Sequence, residues 1–550
     1  MAAHDGGQGE SMRILSNLVL IILLILSAPS FAETVDVTGA RPVPDHVTLT
    51  WTADPHTTQT ITWRADAATL SGMAHYAKGP TLSGTVRSAR ASRTELATDL
   101  GTMSLFTVTL AGLQPGSRYA YRVGDGKSWS ETHSFSTEPG ASAGLTFLVF
   151  GDSQSGIADT PEYGPWHDTV HNAFAASTDA RFIVNVGDLV EVGQSLAHWN
   201  AWFAAARGVI DVIPDMPIQG NHETYVPGLN GGVKPFYWTA QFPLPQNGPD
   251  GLQNQVYSWD YGNVHFAALD SQEEEEGPTY GSILQEQAAW LDRDLSLTKM
   301  PWKVVFFHKT PYYLKATRTN EAVKAAFVPV LDAHHVDVVF NGHDHGVART
   351  YALKADQFVS RPSQGTIYLV AGRSGNKSYP DLSQKVWDAF FYDPQDQPNY
   401  MVVQVTAKTL VVKTLKQDGT LLDTFSMDKE KDTDSDMARA PIPSKAWAKY
   451  AAPTLVVFGS VVGPAAYHHA PVLREGKWFV DLAGFAACIG AAANVNDLGA
   501  TFSLGGKELH IPPDMLWTDT AVTLVATDAL TAMGFVTAFH EATNLLEVSR

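Results

Sequence analysis

From Gly144 onward the chain repeats one pattern, a short apolar run that fits a buried strand followed by a stretch with helical spacing. The runs are Leu145 to Phe150, Phe182 to Val186, Val264 to Leu269, Val304 to Phe307 and Val336 to Phe340. Helical spacing falls between them at Trp166 to Ala176, Ile283 to Leu295 and Glu321 to Leu331. Alternation of this kind predicts an α/β sandwich. In such sheets ligands gather beyond the carboxyl ends of the strands, so the loops after these runs are where chemistry is expected.

At 550 residues the chain is long enough for three or four domains. Residues 40–138 carry short alternating runs rich in Thr, Val, Trp and Tyr, such as His46 to Trp51 and Thr60 to Trp63, which predict a β-sandwich. Within them, Leu113-Gln-Pro-Gly-Ser-Arg-Tyr119 resembles the corner of a fibronectin type III domain, where a Tyr hydroxyl ties back to nearby backbone. The central α/β domain is expected over 144–426 and an exposed linker over the charged, Pro-containing 427–445. Beyond it, 446–550 shows an internal repeat. Lys477 to Gly490 and Ala521 to Gly534 share the rhythm strand, small residue, helix, Gly. This segment is similar to the copper amine oxidase N-terminal-like stalk domain, a small α+β module, and the resemblance implies attachment to the cell envelope.

Residues 1–32 read as a signal peptide, with Arg13 before an apolar run from Ile14 to Leu26 and Ser30-Phe31-Ala32 at the expected cleavage point. An exported chain in the extracellular space or a bacterial envelope or periplasm follows. The single cysteine, Cys488, forbids an intramolecular disulfide, and its apolar surroundings predict a buried thiol. A net charge of −19 argues against a nucleic-acid duplex as partner.

Five motifs follow strands in a fixed order: Gly151-Asp152-Ser153-Gln154, Gly187-Asp188-Leu-Val-Glu191, Gly220-Asn221-His222-Glu223, Phe307-His308 and Gly342-His343-Asp344-His345. Each alone is an ordinary turn or a packed histidine. Together, at the ends of strands of one α/β unit, they offer the hard oxygens and imidazoles that a close pair of metal ions needs, with one carboxylate bridging. Asp188 is the natural bridge. His343 and His345 reach different ions if the backbone curls between them, which Gly342 is expected to permit. Asn221 supplies a neutral amide oxygen, and His222 points at substrate.

This set resembles the calcineurin-like metallophosphoesterase superfamily, and with the preceding sandwich it resembles the purple acid phosphatases. The resemblance implies a central αββα metallophosphoesterase sandwich that cleaves phosphate esters by in-line attack of a metal-bound hydroxide. It implies two metal ions, drawn from Fe, Mn or Zn. Asp152, Asp188 and His345 would hold the first, and Asp188, Asn221, His308 and His343 the second. His222 would meet the leaving group, with Glu223 orienting it. Purple acid phosphatases have a tyrosinate three residues after the bridging Asp, where this chain has Glu191, and the broader superfamily has a His where this chain has Gln154. Gln154 is the preferred ligand of the two. Lys309, Arg318 and Arg373 are candidate phosphate contacts, Tyr312 and Tyr313 candidate cleft walls, and Glu273 to Glu276 an expected exposed loop. A phosphomonoester is the expected substrate. The alternatives are a phosphodiesterase or nucleotidase with the same site, or a catalytically silent envelope scaffold.

Overall fold

The structure is a computed structural model. It describes residues 38–435 apart from 141–143, 316–317, 319, 360 and 386, and then 454–458, 460–461, 471–474, 476–496, 498–504, 507–519, 522–540 and 545–549. The signal peptide expected over 1–32 lies outside the described residues.

Two four-stranded sheets form the N-terminal sandwich. One is ordered Asp45–Thr50, Gln59–Asp66, Gly101–Leu110, Ser92–Thr98, the other Arg87–Arg90, Met73–Lys78, Arg118–Gly124, His133–Ser136. Leu49, Ile61, Trp63, Phe106, Val108 and Tyr121 fill the space between. The corner tyrosine behaves as its motif predicts, since the Tyr119 hydroxyl accepts the Gln114 N–H at 2.9 Å.

The central domain places two sheets face to face. Ala180–Asn185 and Leu145–Phe150 run parallel in a six-stranded sheet that continues antiparallel through Asn399–Val405, Thr409–Lys416, Leu421–Asp428 and Thr433–Asp434. The seven-stranded sheet is ordered Tyr257–Tyr261, Val264–Ala268, Trp302–Lys309, Val338–Gly342, Ile367–Ala371, Val347–Thr350, Asp388–Tyr392, with Val264–Ala268 through Ile367–Ala371 parallel. Strand alternation explains why the sheets are apolar on both faces. Phe306 turns inward toward Phe147 and Phe266, while its neighbour Phe307 turns outward onto Phe327 of helix Glu321–Ala333. On the other outer face, Trp166 of helix Gly164–Ala176 meets Phe150 edge-on and stacks against Trp202 of helix Leu196–Ala206. The result is the four-layer αββα order. Among the described residues no helix is long and apolar enough to cross a membrane.

The sandwich docks on the segment that feeds the site. Leu49 N–H donates to Ile210 O and Leu49 O accepts the Asp215 N–H, at 2.9 and 2.8 Å, while Tyr121 Oη donates to Asp211 O at 2.7 Å. Immediately onward, Met216 and Ile218 donate to Ile183 O and Asn185 O, so the chain reaches Gly220 registered against the first sheet.

Two expectations are corrected. The segment given to a linker begins inside the sheet, because Leu421–Asp428 and Thr433–Asp434 pair as a hairpin whose turn is closed by Asp428 Oδ1 accepting from Glu430 and Lys431 N–H. The remainder, 436–445, lies outside the described residues. Cys488 is exposed. The short helix Leu482–Cys488 buries Leu482, Phe485 and Ala486 at i, i+3 and i+4, which turns its last two residues outward. Each copy of the sequence repeat has a strand followed by a short helix, Lys477–Asp481 then Leu482–Cys488 and Val522–Ala526 then Thr527–Ala532, and the two strands pair antiparallel, with Val480 opposite Val525.

Replacing Tyr119 with Phe removes the acceptor of the Gln114 N–H. Urea unfolding of the variant is expected to show stability lowered by about 1 kcal/mol, and an unchanged midpoint would mean that the corner bond contributes nothing.

A candidate two-metal centre

All five motifs meet at the carboxyl edge of the two sheets. Their backbones are bent there in an uncommon way: Asp152, Asp188, His343 and His345 have φ of 47°, 54°, 75° and 58°, in the left-handed region that Asp and His enter more readily than most side chains. The curl expected of Gly342 is thus carried by the two histidines themselves. Gly342 is needed for closeness instead, because a Cβ there would lie 2.7 Å from Asp152 Oδ2 and 2.9 Å from Val186 O. Gly187 has the same reason, since a Cβ there would collide with the His308 ring.

Two groups of buried ligand atoms result, Asp152–Asp188–His345 and Asp188–His308–His343, adjacent and sharing Asp188. Within them Asp188 Oδ2 is 3.2 Å from His308 Nε2, His308 Nε2 is 3.2 Å from His343 Nδ1, and Asp152 Oδ1 is 3.2 Å from His345 Nε2. The imidazoles are aimed by their other nitrogens, His308 Nδ1 lying 2.8 Å from Val186 O and His345 Nδ1 2.9 Å from Lys377 O.

Three buried polar atoms here have no hydrogen-bond partner: His345 Nε2, Asn221 Oδ1 and Gln154 Oε1. Asn221 spends its amide nitrogen on Tyr225 Oη at 2.7 Å, and Gln154 Nε2 lies 3.1 Å from Asp188 Oδ2. Orphaned lone pairs are costly in a dry interior. Clustered around carboxylates and imidazoles, they fit a site for cations. Glu191 sits elsewhere: Oε1 pairs with Lys377 Nζ at 3.0 Å and Oε2 accepts the Gly156 N–H at 2.9 Å. Glu191 is thus engaged outside the two ligand groups, while Gln154 Oε1 is left without a hydrogen-bond partner beside Asp188.

Burial alone would raise the Asp188 carboxyl, but the neighbouring His308 and His222 pull it well below the usual carboxylate range. Burial works to lower His308, yet the Asp188 charge raises it to about 9. His343 is pushed well below its ordinary value by burial and by Arg318 and His308.

Glu223 needs correcting. Its carboxylate does not reach the His222 ring; it accepts backbone N–H from Asp188, Leu189, Val190 and Gly220 at 2.9, 2.9, 3.2 and 2.7 Å. It braces the turn that presents Asp188. Burial, reinforced by Asp188, raises its pKa to about 8. His222 has both ring nitrogens engaged, Nδ1 2.6 Å from Glu191 O and Nε2 2.9 Å from Lys377 Nζ, and burial lowers its pKa.

Other candidates scatter. Lys309 pairs with Glu275 at 2.9 Å, and Arg318 with Asp344 at 2.6 Å. Arg373 is buried on Pro394 O and Gly375 O, at 2.9 and 2.7 Å, and makes no contact with the centre. Tyr312 and Tyr313 pack on Trp387. Glu273 to Glu276 open a helix, Glu273–Tyr280, with Glu276 buried against Gln219 and Gln255. Sequence reasoning missed Lys377 and Tyr225. Neither belongs to a motif, and only the fold brings Lys377 back to residues 155 positions earlier.

An αββα sandwich with two adjacent candidate metal-binding groups sharing one carboxylate is the arrangement of a binuclear metallophosphoesterase fold. Residues 145–347 match the family described as Calcineurin-like phosphoesterase, and 44–137 match Purple acid Phosphatase, N-terminal domain. The chain thus carries both domains in tandem, and proteins of this family use two metal ions. Among relatives, Purple acid phosphatase 15 of Arabidopsis thaliana is 26% identical over 307 residues, covering 49% of this chain and 53% of that protein. Acid phosphatase type 7 of Mus musculus is 26% identical over 298 residues, covering 49% and 63%. The chain therefore spans less than two thirds of the length of both. The solved purple acid phosphatase from yellow lupin seeds superposes with a TM-score of 0.57 at 19% identity, over 70% of this chain and 74% of that one, which speaks for the fold.

Elemental analysis of purified variants tests the ligand set. Asp188→Asn is expected to lose both ions, Gln154→Ala to lose one, and Glu191→Gln to keep two. Depletion by Glu191→Gln alone would exchange the roles of Gln154 and Glu191.

Proposed function

We propose that this chain is an exported binuclear metallophosphoesterase acting on phosphomonoesters. The observation that carries the reading is the pair of ligand groups sharing Asp188, opening into a cavity of about 820 Å³ lined also by Asn221, His222, Tyr225, Lys309 and Lys377. Asp152, Gln154, Asp188 and His345 would hold one ion and Asp188, Asn221, His308 and His343 the other. Bound there, such a pair supplies Lewis acidity toward phosphoryl oxygens and a water acidic enough to act as nucleophile near neutral pH.

The chain's own groups supply the rest. Asp188 and its Glu223 brace fix the spacing of the two sites. The Tyr225 ring lies tilted against the His222 ring, centroids 4.3 Å apart, and both form part of the wall against which an ester group rests. Glu273, Glu274 and Glu321 are also among the residues that line the cavity, and their charge repels leaving groups bearing further negative charge. The names of the relatives, acid phosphatases, support a monoester over a diester. Export rests on the N-terminal segment alone.

The purified, metal-loaded chain is expected to hydrolyse a generic aryl phosphomonoester faster than the matching diester. Turnover of the diester alone would favour the phosphodiesterase alternative, and no turnover of either with less than about one ion bound would favour a silent scaffold. His222→Ala, which removes the ring that meets Lys377 Nζ beside Asp188, is expected to lower kcat while both ions remain; equal loss of metal would contradict a role for His222 on the substrate side. N-terminal sequencing of protein recovered outside the cytoplasm is expected to begin at Glu33.

A further inference from the structure

Lys377 follows the strand Ile367–Ala371 in a loop without any recognisable motif. Its backbone carbonyl lies 2.9 Å from His345 Nδ1, while its side chain runs to the other side of the centre, where Nζ lies 3.0 Å from Glu191 Oε1 and 2.9 Å from His222 Nε2. An ammonium has three N–H donors. Two are spent on Glu191 and His222, and among the described residues the third has no protein partner. Lys377 lines the catalytic cavity beside Asn221, His222, Tyr225 and Tyr379, and its side chain is one-fifth exposed.

His222 cannot offer an N–H of its own in this arrangement. Its Nδ1 faces the Glu191 carbonyl oxygen, an acceptor, so Nδ1 holds the proton; Nε2 faces an ammonium, a donor, so Nε2 holds a lone pair. The other cations of the cavity are committed elsewhere. Lys309 lies between Glu275 and Glu274 at 2.9 and 3.6 Å, and Arg318 is held by Asp344 and the His343 carbonyl. Lys377 alone of the three combines a spare donor with direct contact to His222, whose Nε2 is 3.9 Å from the shared carboxylate oxygen of Asp188.

We propose that Lys377 is the substrate-facing cation of this site: its ammonium holds a non-bridging phosphoryl oxygen, with Glu191 and His222 acting as positioning residues that fix the ammonium over the centre. The proposal rests on the phosphoesterase reading and deepens it. It also accounts for Glu191: the carboxylate, itself buried, pairs with the half-buried ammonium and aims it. No proton is transferred by Lys377 in this assignment, and the negative charge of the bound oxygen is what it recognises.

The test uses the full chain, metal-loaded, with inorganic phosphate as probe. Lys377→Met keeps the length of the side chain and removes its charge. It is expected to retain both ions by elemental analysis, to weaken phosphate binding at least tenfold by calorimetry, and to raise the inhibition constant of phosphate by the same factor. Lys377→Arg keeps a charge and is expected to recover most of that affinity. Glu191→Gln, which removes the aim but not the cation, is expected to weaken phosphate by a smaller factor. If Lys377→Met slows turnover yet binds phosphate within twofold of the unmodified chain, Lys377 merely orients His222 and the proposal is overturned. If the unmodified chain neither binds phosphate nor turns over a phosphomonoester, the phosphoesterase reading fails and Lys377 falls with it.

Discussion

The interaction on which the rest depends is the brace between Glu223 and the turn that carries Asp188. A buried carboxylate accepting four backbone N–H groups locks Gly187 to Val190 into a conformation that a strand end would not otherwise keep. Asp188 is thereby held with a left-handed backbone, one oxygen accepting the His222 N–H at 2.9 Å and the other close to His308. Each ligand group contains this one carboxylate, so an error of an ångström in its placement would spoil both at once.

Such a centre is unfavourable by itself. It gathers carboxylates and imidazoles in a dry place, leaves lone pairs unpartnered and bends four side-chain-bearing residues into positive φ. The surrounding fold offsets this cost. Between the two sheets Phe147 stacks on Phe182 and both meet Phe266 edge-to-face, and aromatic helix faces seal the first sheet from outside. The sandwich adds a clamp: its Leu49 and Tyr121 hold the stretch from Ile210 to Asp215, which leads directly to Asn221 and Glu223. A domain with no ligand of its own thus steadies the segment that supplies one.

Much of this was legible. Apolar strand runs and the helices between them were readable because burial imposes a local period, and the boundaries of helices Gly164–Ala176 and Glu321–Ala333 differ from expectation by only two residues at one end. The ligand motifs were legible because metal chemistry restricts residue type so strongly. Less legible were positions whose roles depend on direction. Glu223 sits next to His222 in the chain and reads as its partner, yet on a short 3-10 turn its carboxylate points back to the backbone of another loop. Cys488 lies in an apolar run and reads as buried, but helical geometry turns it outward.

The sequence by itself determined the layer order, the sandwich with its tyrosine corner and the identity of the residues offered to a metal pair, because each of these follows from local period or side-chain chemistry. Only the tertiary structure decided which oxygens converge, that Glu191 is spent on Lys377, and that His222 has no free N–H. The reason is physical: these are contacts between loops up to 186 residues apart, and the chain carries no local signal for the direction in which a half-buried lysine or a buried carboxylate will reach.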